Sequence, residues 1–106
     1  MNPLQIDRRI QVLLSVNRAL LGEVPPSLRG VTVAWDEHSI EVVAYFDGEI
    51  AVEDRESMEC VLTEVIADFS PDPEAQYRLD CLRRDAPARM EPLRAWVYLR
   101  RESAAT

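Results

Sequence analysis

The 106-residue chain contains no lysine, one histidine, two cysteines and three glycines. Each shortage excludes a kind of chemistry. Three scattered glycines cannot build a phosphate-cradling loop or a dinucleotide fingerprint. A lone histidine, His38, in a polar stretch read as a solvated turn, leaves no partner for a histidine-based triad. Cys60 and Cys81 lack close ligand spacing, so no zinc pattern exists. No apolar run approaches the roughly 18 residues that span a bilayer. The start, MNPLQIDRRIQ, lacks the basic region, apolar run and cleavage site of a signal peptide. A cytoplasmic location is therefore expected, with no membrane partner. In that compartment a disulfide is not expected, and both cysteines are read as small space-filling side chains.

All 12 basic residues are arginine, against 19 acids, for a net charge of −7. The charge is unevenly distributed. From Asp36 to Glu74 there are thirteen acids and one arginine, a net of −12. Residues 1–35 carry +2 and residues 75–106 carry +3. Phosphate binding needs clustered cations, so nucleic acid is excluded as a partner for the central block. A basic protein surface suits it, through long-range attraction. The bland alternative is that the acids only keep the chain soluble.

The length indicates one domain, residues 1–106, with 102–106 a frayed tail. Asn2 and Pro3 signal a helix start. Ile6, Ile10, Leu13, Leu14, Leu20 and Leu21 are read as its apolar stripe, and Gly22 with Pro25–Pro26 as its stop. Asn17 falls within that stripe, so either its amide bonds to nearby backbone or the face is open there. Val31, Val33 and Trp35, then Ile40, Val42, Ala44 and Phe46, alternate with outward positions and predict a hairpin around the turn Asp36–Ser39. A second helix is predicted over Val52–Phe69, its apolar face formed by Met58, Val61, Leu62, Val65, Ile66 and Phe69. Two more strands follow, AQYRLDCLRR and RAWVYLRRE, read as a second antiparallel hairpin around DAPARMEPL. Tyr77, Leu79 and Cys81 are expected inward. Trp96 and Tyr98 are expected on one face of the last strand, either open as a hydrophobic contact or packed under the preceding loop. The result is an α+β fold in the order α-β-β-α-β-β, a largely antiparallel four-stranded sheet against two helices.

The densest acidic stretch is YFDGEIAVEDRES. Its spacing does not match a calcium loop, so no metal or cofactor is expected. Glu53, Asp54 and Glu56 sit in a helix's first turn, where the macrodipole favours carboxylates. Ala51 cannot cap that helix, which leaves Asp47, Glu49 or a shifted start at Asp54 to do so. Cys60 projects among Glu53, Glu56 and Glu64, a setting that opposes a reactive thiolate.

Arg18–Glu23, Trp35-Asp36, Phe46–Ile50, Thr63–Phe69 and Trp96–Arg100 together resemble a family of small, single-domain bacterial proteins, largely uncharacterised. In size, charge and layout the chain is similar to immunity proteins that accompany bacterial toxins. The resemblance implies a compact binding domain and brings no catalytic residues. The leading expectation is a non-enzymatic acidic protein that neutralises a basic toxin. Its partner would meet Asp36 and Glu37 in the hairpin turn and Asp47, Glu49, Glu53, Asp54 and Glu56 at the second helix. A second reading is an assembly module that forms homodimers through its last strand or through Trp96 and Tyr98. A third is a small enzyme with a carboxylate site around Asp47, for which raised carboxylate pKa values would be the mark.

Overall fold

The computed structural model describes residues 3–103 and runs α1 (Pro3–Ala19), β1 (Leu28–Trp35), β2 (Ser39–Phe46), α2 (Val52–Ala67), β3 (Gln76–Arg83) and β4 (Ala95–Leu99). The expected order and the α+β class hold. Asn2, read as the first cap, lies outside the described residues. The β1–β2 hairpin forms as the alternation predicts. Val31 pairs with Ala44, Val33 with Val42 and Trp35 with Ile40, and all six are buried on the face that meets the helices.

The second hairpin does not form. The sheet order is β3-β2-β1-β4, so β3 and β4 lie on opposite edges. β3 runs parallel to β2, and β4 runs antiparallel to β1. The sheet is mixed, with two of its three pairings antiparallel. A parallel neighbour needs a crossover of a dozen or more residues, and α2 supplies it. The segment after β3 then crosses the outer face of the sheet to reach the far edge.

Arginines hold that crossing segment. Arg29 is only 3% exposed. It donates through Nη1 to the carbonyls of Arg84 (2.6 Å) and Ala88 (3.0 Å). Its Nε and Nη2 grip Glu102 in a bidentate pair at 2.7 and 2.9 Å. Arg94 donates to the carbonyl of Trp35 and lies over that ring, 4.2 Å from its centroid. Tyr45 donates its hydroxyl to the carbonyl of Glu91. Thr32, fully buried, donates to the carbonyl of Ala95 and accepts from the N–H of Leu93. Glu102, which falls in the segment expected to fray, is thus anchored; residues 104–106 lie outside the described residues.

Gly30 sits beneath this cover. A Cβ there would lie 2.9 Å from the Trp96 ring and 3.3 Å from the Met90 sulfur. The close layer requires glycine. Trp96 therefore packs under the loop, beside Tyr45 with ring centroids 6.3 Å apart. A register shift between Val31 and Thr32 places Tyr98 opposite Val31 and Trp96 opposite Thr32. The bulge puts the two aromatics on different faces. Trp96 lies under the loop, and Tyr98 packs against the main core. The expected shared face does not exist.

The main core joins Val12, Val16 and Ala19 of α1 and Leu20 just after it with Met58, Val61 and Val65 of α2 and the inner face of the sheet. Tyr77, Leu79 and Cys81 border it, as expected. Burial pushes the Cys81 thiol above its ordinary value. The stripe expected on α1 holds only in part: Leu20 is buried and Leu13 packs against the core, while the Ile6 side chain lies outside the described residues. Ile10, Leu14 and Leu21 are 49%, 55% and 76% exposed, and Asn17 is exposed with them. Apolar residues occur on two arcs of this helix, so spacing alone does not select one. The buried arc holds the small Ala19 and Ser15, which permit a close approach to α2. Ser15 donates its hydroxyl to Asp68 just past α2 at 2.6 Å.

Candidate partner-binding surface

β2 separates the acids that lie close together in the sequence. Asp36 and Glu37 sit at one end of this eight-residue strand and Asp47 at the other, roughly 25 Å apart at about 3.4 Å per residue. The seven expected contact residues are therefore not one patch.

Three of the seven have structural partners. The Asp36 carboxylate accepts the N–H of His38 at 2.9 Å, closing the hairpin turn, and this bond holds its pKa below the ordinary value. Asp47 accepts from Arg100 at 3.1 Å and from the N–H of Ala86. Asp54 accepts the Ser27 hydroxyl at 3.1 Å. Ala51 occupies the N-cap of α2 with no side-chain cap bond, so Asp47 does not take over that role. Gly48 makes the turn before the helix with φ at +82°, a region that costs other residues about 1–2 kcal/mol. Its N–H donates to Asp85, which Arg83 also grips and holds below its usual pKa.

Glu37, Glu49, Glu53 and Glu56 are exposed. On α2, Glu53, Glu56, Cys60 and Glu64 follow at spacings of three, four and four, and Glu59 adjoins them. All five are exposed. None of these glutamates enters a salt bridge among the described residues. The only cation on the helix is Arg55. From Glu53 to Glu64 this face spans about 17 Å at 1.5 Å per residue and runs from the Asp47 end of the sheet toward the Asp36 end. Glu59 and Glu64 were absent from the expected set, although a helical wheel of residues 52–67 places Glu64 in line with Glu53 and Glu56.

The far end continues the acidic character. Asp68, Asp72 and Glu74 follow α2. His38 joins this end, with Nδ1 2.8 Å from Asp72 and Nε2 3.5 Å from Glu74. The bond to Asp72 raises the His38 pKa and lowers that of Asp72. The turn histidine is exposed as expected, yet it ties the hairpin to the segment before β3.

Beside this end lies a groove of about 560 Å³ between α1 and residues 68–77. Leu14, Phe69 and Tyr77 supply its apolar lining, and Arg8, Arg18, Asp68 and Asp72 its charges. Arg8 stacks over Phe69, 4.9 Å from the ring centroid. Among the described residues no group of three metal-binding side chains forms, and no helix is long and apolar enough to cross a membrane.

The same chain segments carry a family signature. The sequence model of the MafI2 immunity proteins matches residues 9–102. The chain belongs to the MafI2 immunity protein family. The matched region takes in both helices' buried faces, the whole sheet and the Arg29–Glu102 anchor that closes it. No curated protein matches the chain. In this MafI2 family member, Asp36, Asp72, Asp85 and Glu102 are each held below their ordinary pKa values by hydrogen-bond donors. A carboxylic acid working near neutral pH needs the opposite shift.

Proposed function

We propose that this chain is a cytoplasmic immunity protein that neutralises a bacterial toxin by binding it, without chemistry of its own, and that the solvent face of α2 is the principal contact. One observation carries this reading. In a member of an immunity protein family, Glu53, Glu56, Glu59 and Glu64 share one exposed helix face with no salt-bridge partner among the described residues. Most other charges are engaged within the fold. Arg29, Arg83, Arg94 and Arg100 each hold a carboxylate or a carbonyl. The fold thus uses much of its positive charge internally and leaves the α2 acids uncompensated. Such a face draws a basic partner by long-range attraction and fixes its orientation. Asp36 and Glu37, at the end of β2 opposite Asp47, would meet the same partner only at its rim.

The test is co-expression with the product of the adjacent gene. The reading predicts that this product is a toxin, that the chain rescues growth and that the two co-purify. A non-toxic neighbour, or toxicity unchanged by the chain, contradicts it.

A further inference from the structure

The two edges of the sheet are not equivalent. β4 has five residues, is bulged against β1 and ends at Leu99, after which the N–H of Arg100 returns to the Arg29 carbonyl. β3 has eight residues in unbroken register with β2, and among the described residues no strand covers its other side. A long, regular, uncovered edge presents free N–H and C=O groups to another strand. The inward side chains of β3, Tyr77, Leu79 and Cys81, are only half-buried. A further strand would complete their cover.

We infer that β3 pairs with β3 of a second copy, antiparallel and centred on Leu79, to give a two-fold dimer with a continuous eight-stranded sheet. The register follows from side-chain direction and charge. Opposed residues in an antiparallel pair share a face, so outward Arg78 and Asp80 can meet only outward residues of the second copy. Centring on Asp80 sets two aspartates against each other, and centring on Arg78 sets two arginines against each other. Centring on Leu79 sets each Arg78 opposite Asp80 of the second copy, twice, and stacks Leu79 on Leu79 on the inner face. Like charges directly opposite destabilise a pair and opposite charges stabilise it. In the single chain Arg78 and Asp80 already pair at 3.1 Å, with side chains 70% and 35% exposed, so both are available at the edge. The net charge of −7 on each copy opposes association, which makes the charge-matched register the one able to form. The dimer is independent of the immunity reading, and it would bring two α2 acidic faces onto the same side of one sheet.

The test is multi-angle light scattering of the full chain over a concentration series at about 0.15 M salt, where the Debye length is about 8 Å. The inference predicts twice the 12.1 kDa chain mass at high concentration. Arg78→Asp and Asp80→Arg should each weaken the dimer by roughly ten-fold or more, since each turns two attractive pairs into repulsive ones. The double variant R78D/D80R, with the charges exchanged, should restore it. Circular dichroism checks that every variant is folded. A wild-type chain that stays at 12.1 kDa overturns the inference. So does a dimer that neither single variant weakens, or one that the exchange does not rescue.

Discussion

Replacing Glu102 by glutamine removes one charge from the pair that anchors the loop over the sheet. Arg29, 3% exposed, would keep its bonds to the Arg84 and Ala88 carbonyls but lose its carboxylate. The bidentate contact and the second bond from Arg100 lower the Glu102 pKa from 4.5 to about 2. A difference of that size corresponds to about 3 kcal/mol at neutral pH. The Glu102 side chain is 27% exposed, and solvent screening reduces the expected loss to about 2 kcal/mol. For a chain of this length that is a fall in Tm of roughly 9 °C. The sign fixes the pH dependence. A depressed carboxylate pKa stabilises the fold above about 4.5, and this contribution disappears as pH falls toward 2. Thermal unfolding followed by circular dichroism at pH 7 and across pH 4.5 to 2 measures it. A variant within about 1 °C of wild type at pH 7 would refute the reasoning, as would a difference that persists unchanged at pH 2.

Gly30→Ala should cost about 1–3 kcal/mol, because the added methyl meets the Trp96 ring at 2.9 Å under a loop fixed by several bonds; urea unfolding checks it. Met58→Ala, at a fully buried site between the helices and the sheet, should cost about 2–5 kcal/mol in the same assay. His38 has a raised pKa and Asp72 a lowered one, so their pair stabilises the turn above the Asp72 pKa and loses that contribution as pH rises through the His38 pKa. His38→Ala should therefore lower Tm more at pH 6 than at pH 9; an equal effect at both would show that the ion pair does not contribute.

The elements themselves were legible because period-two alternation over residues 31–46 and helical spacing over 52–67 each admit one reading. Neighbour relations were not. Alternation in β3 and β4 says which residues point inward, yet nothing about which strand lies beside them, so a hairpin was expected where the chain crosses the sheet. α1 failed differently, because apolar residues on two arcs make its orientation depend on α2 and on the small Ala19 and Ser15. Trp96 and Tyr98 were separated by a bulge that no residue pattern announces. The acids were grouped by position along the chain, which merged two ends of β2 and missed Glu59 and Glu64. The helical face that links those ends was visible in the projection that set Cys60 among Glu53, Glu56 and Glu64, but the contact set was not drawn from it. The arginines showed the converse: clustering would have marked a phosphate site, whereas in the fold Arg29 and Arg84 hold carbonyls of the crossing segment and Arg29, Arg83 and Arg100 hold carboxylates.

The central claim is that the α2 face meets a toxin. Stopped-flow association with the purified product of the adjacent gene measures it most directly, using wild type and a variant carrying Glu53→Lys, Glu56→Lys and Glu64→Lys. The account predicts an association rate at least roughly ten-fold lower for the variant, with a weaker dependence on salt and an unchanged fold by circular dichroism. Equal association rates and equal salt dependence would contradict it.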